Sequence, residues 1–441
     1  MNKLIIILLI NLFLTISILA QENYSLKKCI EIGLEQNYDI KIIKKQQKIS
    51  ENNASLGNAG YLPTISFDAG YNGNFFNFQN QVPNPNGDVI SNTNFFNQSF
   101  NAGLNLNWTI FDGFYIQSNY QKLQQLKEIG ELNTKTNIEL FVTTIATEYY
   151  TYIEQKNIYE NLLYAVSLSK ERLRIVQERY YIGAVSRLDL QQALVDFNRD
   201  SSKLIGQNEV LFSSLLRLNQ LMAIENNEQQ INIDDSIFLL NSIASKEDLL
   251  KSALQNNINL QILQSQQEII ILDLKSYKSQ NYPYLKFKTG YGYNYNFYDV
   301  GSYKSQNNLG LNFGFNLGFI IFDGMNRKRN IENAKINIDS QQLNQEKLKL
   351  DITTNFGKLW QAYQNNIKLS NLENENRYTA IENYEIAMDR YKLGNLSGIE
   401  LREAQNSLLE AEQRYILTKY NTKICEILIL QICGMLEKYL E

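Results

Sequence analysis

The sequence predicts an α+β membrane protein made of two internal repeats. Long coiled-coil helical hairpins are joined to four β-strands, one chain's share of a larger transmembrane barrel. Three observations predict it. Apolar and polar residues alternate over four separate runs of about ten or more residues, enough for a tilted bilayer crossing. Two of those runs end at Phe111-Asp112-Gly113 and Phe322-Asp323-Gly324 and pass directly into helical spacing that continues for dozens of residues. The two halves of the chain also align through constant offsets.

Composition narrows the field. The 441 residues carry 42 basic and 46 acidic side chains, and the net charge of −4 gives no case for nucleic-acid binding. Histidine is absent, which removes the commonest general base and the commonest metal ligand. Tyrosine (28) and phenylalanine (21) are abundant, as at membrane interfaces, although large β-proteins share the trait. Cys29, Cys425 and Cys433 read as buried small hydrophobes rather than a disulfide scaffold.

Residues 1–20 read as a secretory signal: Lys3 supplies the charge, Leu4 to Leu19 the apolar core, and Ala20 the cleavage edge. The alternative is a membrane anchor. No cysteine closes the apolar run, so no lipid anchor is expected, and no later stretch is apolar enough for a spanning helix.

Residues 21–60 form a first helix, with Leu26, Ile30, Leu34, Ile40, Ile43 and Ile49 at helical spacing. Residues 61–112 form a β-hairpin. Its first strand starts at Pro63 and sets Ile65, Phe67, Ala69, Tyr71 and Phe75 against Thr64, Ser66, Asp68, Asn72 and Asn74. Its second sets Phe100, Ala102, Leu104, Leu106, Trp108 and Ile110 against asparagines and small residues. The loop from Phe76 to Gln98 holds Pro83, Pro85 and Asn86-Gly87 and reads as an exposed outer turn. Asp112 and Gly113 make the strand–helix corner, with Asp112 suited to the N-cap.

Residues 113–222 form a long helical hairpin. Its first helix runs from about Phe114 to Tyr181, on the order of 100 Å at about 1.5 Å per residue. Leu190, Leu194, Phe197, Leu204, Leu211 and Leu218 stripe its return helix at near-heptad spacing. An acidic, asparagine-rich linker at 223–244 joins the halves and suits short strands or a collar.

The second half repeats the plan: a helix at 245–281, a β-hairpin at 282–323 with a shorter turn, helices from about Arg327 to Tyr391 and Ile399 to Cys433 within 324–434, and a tail at 435–441. Ile30, Leu34, Asn37 and Ile40 align with Leu250, Leu254, Asn257 and Leu260, and Pro63 with Pro283, at one offset. A second offset, nine residues shorter, aligns the corners and pairs Arg179-Tyr180 and Gly183 with Arg390-Tyr391 and Gly394. Strand three alternates from Leu285 to Phe297 and strand four from Leu309 to Phe319, ending at the corner Asp323-Gly324.

In a bilayer every backbone polar group must be paired, so the strands must close into a barrel. Single-chain barrels begin at about eight strands. Four per chain therefore demand copies, and three copies give twelve strands with room for a lumen, whereas two give a barrel filled by side chains. A homotrimer follows, with its helices forming a hollow periplasmic cylinder. The soluble alternative, a sandwich with one wet face, is disfavoured by strand length. No nucleophile–base pair stands out, and Gly290-Tyr291-Gly292 belongs to an alternating strand rather than a phosphate loop. No catalytic residue, cofactor or metal is expected.

With two corners and two helix breaks in one order, the chain resembles the TolC-like outer-membrane efflux proteins over nearly its whole mature length. Arg179-Tyr180-Tyr181-Ile182-Gly183-Ala184-Val185-Ser186 resembles one periplasmic tip of that family, and Arg390-Tyr391-Lys392-Leu393-Gly394-Asn395-Leu396-Ser397 the other. Independently of the family, Gly183 and Gly394 suit left-handed helix ends, and Ser186 and Ser397 suit caps of the returning helices. The resemblance implies that these tips dock on a periplasmic adaptor. It matches Glu400 and Glu403 to an acidic ring at the periplasmic gate, and Tyr391 with Asp189 to a closed-state contact. A second polar lock in some relatives falls here on Leu188 and Leu396, where an apolar contact is expected instead. The implied function is an exit duct for drug efflux or type I secretion, served by an inner-membrane pump of resistance-nodulation-division, ABC or major-facilitator type, with outer-membrane lipid around the barrel and no nucleic acid. A trimeric coiled-coil adhesin is the rival, but it needs no internal repeat of hairpins and strand pairs.

Overall fold

The computed structural model describes residues 23–76, 94–233, 245–299 and 303–436. The expected signal, most of the first outer loop, residues 234–244 of the linker and most of the tail lie outside them. In chain order the elements are α1 (Leu26–Gln36), α2 (Tyr38–Asn53), α3 (Leu56–Ala59), β1 (Thr64–Phe76), β2 (Phe95–Phe111), α4 (Tyr115–Tyr181) and α5 (Arg187–Leu221). The second half follows with α6 (Lys246–Asn256), α7 (Ile258–Ser279), β3 (Tyr284–Phe297), β4 (Ser305–Gly318), α8 (Asn326–Lys392) and α9 (Gly398–Ile432). Among the described residues no helix is long and apolar enough to cross a membrane.

The expected single helix at 21–60 is in fact broken, and so is its repeat. Asn37 and Asn257, which align with one another, each leave the helix and cap the next one. The Asn37 carboxamide oxygen accepts from the amides of Asp39 (2.8 Å) and Ile40 (3.3 Å), and that of Asn257 from Asn259 (3.1 Å) and Leu260 (3.4 Å). A short polar side chain that offers the backbone an alternative acceptor ends one helix and starts another.

The chain folds as two compact units. One comprises Gln46–Glu131 and Ile262–Gln345 and contains a four-stranded antiparallel sheet in the order β1-β2-β3-β4. Its apolar face stays open: Phe67, Tyr71 and Phe75 of β1 and Leu311, Phe313 and Phe315 of β4 are exposed, Phe75 to 85% and Phe313 to 73%. A contiguous apolar face of this extent marks a surface that meets lipid or protein. Strand four is shorter than expected. It stops at Gly318, and Phe319 to Phe322 lie outside it, whereas the aligned β2 continues to Phe111. The cause is position: β2 lies between two partners, and β4 is an edge.

The other unit takes the described parts of Met1–Lys45, Leu132–Gln261 and Glu346–Glu441. Its cores repeat one another. Cys29, Ile145, Leu218 and Met222 are buried in one; Leu249, Phe356, Ile429 and Cys433, their aligned counterparts, are buried in another. The start of the linker packs here too: Ile231 and Ile233 are buried, and Asn232 bridges to Asn23 as a short parallel pairing. All three cysteines are buried, and none of them is in a disulfide.

Candidate functional site

The helix turns are built by glycine and serine. Gly183 and Gly394 have φ of +76° and +82°, a left-handed conformation that lets each helix C-terminus bond back on itself. The amides of Gly183 and Ala184 donate to the carbonyls of Tyr180 (3.0 Å) and Arg179 (2.8 Å); those of Gly394 and Asn395 donate to Tyr391 (3.0 Å) and Arg390 (2.9 Å). Three residues later a capping box opens each return helix. Ser186 Oγ accepts from the Asp189 amide (3.2 Å) while Asp189 Oδ2 accepts from the Ser186 amide (3.0 Å). Ser397 and Glu400 do the same at 3.2 and 2.9 Å.

These caps place two of the expected site residues. The Glu400 carboxylate is held below the usual glutamate range by the Ser397 backbone amide, then by the Ser397 hydroxyl, with Arg390 adding a weaker attraction. Arg390, Glu400 and Glu403 line one cavity of about 260 Å³, and both glutamates are exposed. Asp189 is the counterpart of Glu400, and its carboxylate is occupied by Ser186. No hydrogen bond joins Asp189 to Tyr391, although both line a cavity of about 570 Å³. The buried Tyr391 instead meets Arg179. That guanidinium lies 4.8 Å from its ring centre and donates to the carbonyls of Tyr391 (2.7 Å) and Lys392 (3.1 Å). Tyr180 packs on Tyr181. The expected apolar substitute for the second lock is not formed as a pair: Leu396 packs into the neighbouring core, while Leu188 is exposed.

Beside the turns is a buried ion cluster that the sequence reading missed. Arg402 of α9 makes two bonds to Asp200 of α5 (2.6 and 2.7 Å), and Ser169 Oγ donates a third (2.8 Å). Arg172 pairs with Asp196 at 2.9 Å, as does Arg199. Burial pushes the Asp200 carboxyl up, but the bonds from Arg402 and Ser169 outweigh it, and it titrates below the usual aspartate range. The signal that could have revealed it is Ala193, Asp196 and Asp200 at helical spacing on the buried face of α5.

The corners lie in the other unit. The helices begin at Tyr115 and Asn326, so Asp112 and Asp323 stand ahead of the N-cap position expected for them. Two left-handed residues intervene at each corner, Gly113 and Phe114 (both φ 71°) and Gly324 and Met325 (φ 70° and 64°). Each carboxylate still reaches a first-turn amide, Ile116 at 3.2 Å and Arg327 at 2.9 Å.

The sequence profile of the outer membrane efflux protein family matches residues 30–223 and 249–435, both halves of the repeat. No individually curated protein matches the sequence. Among solved structures, the Campylobacter jejuni CmeC outer membrane channel superposes with a TM-score of 0.75 at 18% identity, over 93% of this chain and 85% of that one. The outer membrane protein VceC of Vibrio cholerae gives 0.72 at 14% identity, over 93% and 96%. The Neisseria gonorrhoeae MtrE outer membrane channel, in its open state, gives 0.73 at 15%, over 94% and 90%. At such identities these likenesses establish the fold. With the profile match spanning most of its length, the chain belongs to the outer membrane efflux protein family, as an outer-membrane efflux duct that works with a periplasmic adaptor and an inner-membrane pump.

Proposed function

We propose that three copies close a twelve-stranded barrel and that Glu400 and Glu403 form an acidic ring at the periplasmic entrance of the duct. The observation that carries this reading is the four-stranded sheet whose edges, β1 and β4, have no partner strand among the described residues and whose apolar face is exposed. A sheet with open edges is not viable in lipid, so copies must complete it. Around the turns, Ile182, Leu188, Leu393 and Ile399 are each more than three-quarters exposed. They, with Arg179, Tyr180, Gly183, Ser186, Arg390, Gly394 and Ser397 as their frame, are the surface for the adaptor. The closed state is held at Tyr391 through Arg179, with Asp189 on the same cavity wall. The pump is of resistance-nodulation-division, ABC or major-facilitator type.

Three copies bring six carboxylates to one opening, which favours cations. The test is planar-bilayer conductance of the variant Glu400→Gln with Glu403→Gln. Glutamine keeps the capping box, so charge is removed without unravelling α9. The cation-over-anion permeability ratio is expected to fall by a factor of roughly three or more. An unchanged ratio removes the gate assignment and leaves the duct.

A further inference from the structure

We propose that Lys286 and Lys288 of β3 form a basic collar inside the barrel bore, a band that binds multivalent anions, phosphates and polycarboxylates, as they pass through the duct. The proposal rests on the shared-barrel reading and deepens it to a class of solute.

Strand pairing puts both lysines on the polar face of the sheet. Lys286 pairs with Thr109 and Asn316, and Lys288 with Asn107 and Gly314. Phe287, between them, pairs with Trp108 and Phe315 on the apolar face, its ring centre 5.0 Å from that of Phe315. Lipid takes the apolar face of a barrel, so the polar face lines the lumen. Both lysines are exposed there. Strand β3 lies between β2 and β4, so the pair stands inside one chain's sheet and not at its edge.

Nothing in the sheet offsets their charge. The charged residues of the four strands are Asp68, Lys286 and Lys288. Asp68 is satisfied within the first hairpin, where its Oδ2 accepts from Ser66 Oγ (2.8 Å) and Asn105 Nδ2 (2.7 Å). It pairs with Gly103, which pairs with Gly292, so it stands two strand spacings and four residues from Lys288. That is roughly 16 Å, beyond the screening length of about 10 Å in 0.1 M salt. Among the described residues neither lysine has a carboxylate partner. Lys286 rests over the Tyr284 ring, its ammonium 5.1 Å from the centre, a contact that leaves its N–H donors without an acceptor. The two lysines are about 7 Å apart along the strand, close enough to act as one positive potential. The offset that aligns Pro63 with Pro283 sets Ser66 and Asp68 against Lys286 and Lys288. One hairpin thus carries a carboxylate with its own donors, and the other carries two donors with no acceptor. Three copies bring six ammonium groups against three carboxylates, and rings of lysine or arginine line pores for anions and phosphate.

Block of the channel current by inorganic triphosphate tests the collar. The full chain, in a preparation of three-chain native mass, is placed in a planar bilayer at about 0.1 M salt, and triphosphate is added to each compartment in turn. The wild-type current should fall with added triphosphate. Lys286→Gln with Lys288→Gln should raise the half-blocking concentration at least about tenfold, whereas Lys286→Arg with Lys288→Arg, which keeps the charge, should stay within about threefold of the wild type. Both pairs of positions are exposed, so neither change disturbs a packed core. A wild-type current that triphosphate leaves unchanged, or a glutamine variant blocked as strongly as the wild type, overturns the collar while the shared barrel stands. The gate test reads a permeability ratio and this one an anion block, so the two fail separately. A one-chain native mass removes the shared barrel, and the collar with it.

Discussion

At Gly33 the protein has no room for a methyl group. A β-carbon there would lie 2.5 Å from Cζ of Phe141 and 2.8 Å from Cε1. The repeat solves the same packing problem the other way, with Ala253 and the smaller Ile352 at the aligned positions, both in one core. Gly33→Ala should therefore destabilise. It gains about 1 kcal/mol of helix propensity but overpacks the core at a cost of about 1–3 kcal/mol. Adding Phe141→Ile should recover the loss and leave the propensity gain. Thermal unfolding of the two variants and the pair checks this, and equal midpoints for Gly33→Ala with and without Phe141→Ile would contradict it. Residue identity was a good guide where a local rule fixes the role: Gly183 and Gly394 as left-handed ends and Ser186 and Ser397 as caps follow from backbone chemistry alone. The same local rule shapes Asp189, because a carboxylate three residues after a serine cap has a partner in Ser186.

Between elements, the Arg402–Asp200 clamp ties α9, which carries Glu400 and Glu403, to α5. The positions aligned with Arg402 and Asp200 are Gln191 and Ala411, so the internal repeat does not reproduce the clamp. Nothing in a single charged residue says that it will be buried. Asp196 and Asp200 were illegible until their helical spacing was set beside the burial of their neighbours. The long helices, by contrast, were legible from their stripes and from the absence of proline between Asn86 and Tyr282. Asn37 and Asn257 sit on the line between these cases: their alignment was visible, but not that both break a helix. Asp200→Asn or Arg402→Met should each destabilise by about 3–5 kcal/mol, because one buried charge loses its partner, while Asp200→Leu with Arg402→Met should come closer to the wild type. The pH dependence has a definite sign. Asp200 is depressed on folding, so its stabilisation is complete above the ordinary carboxylate value of about 4 and is lost as pH falls through the lower folded value. The gap in denaturation midpoint between wild type and Asp200→Asn, followed from neutral pH down to about 3, should begin to narrow below about pH 4; a constant gap would show that the clamp is not what Asp200 contributes.

For the molecule as a whole, the repeat separates what one chain completes from what it leaves to a neighbour. Gly113 and Gly324 are aligned glycines in the same left-handed conformation, yet their surroundings differ. Gly113 is buried. A β-carbon there would collide with the carbonyl oxygen of Ser279 and come within 2.9 Å of Tyr282, and Phe114 packs edge-on against that tyrosine. Gly324 is exposed and would meet only the Asn326 side chain, at 3.7 Å. The step that maps Ser279 and Tyr282 onto the first repeat lands on Ala59 and Leu62, which the chain's own second corner leaves unused and a neighbouring copy can offer. Gly113→Ala should therefore damage the fold of the single chain. Gly324→Ala should spare that fold and weaken assembly. Alanine at positive φ costs about 1 kcal/mol at either corner, and Gly183→Ala, with nothing within 4 Å, measures that strain alone. Native mass in detergent and the temperature at which the assembly dissociates separate the three. Gly324→Ala is expected to lower the dissociation temperature well below that of Gly183→Ala while keeping the far-ultraviolet spectrum of the wild type. If Gly324→Ala and Gly183→Ala assemble equally well, the second corner does not rest on a neighbouring copy as the first rests on its own chain.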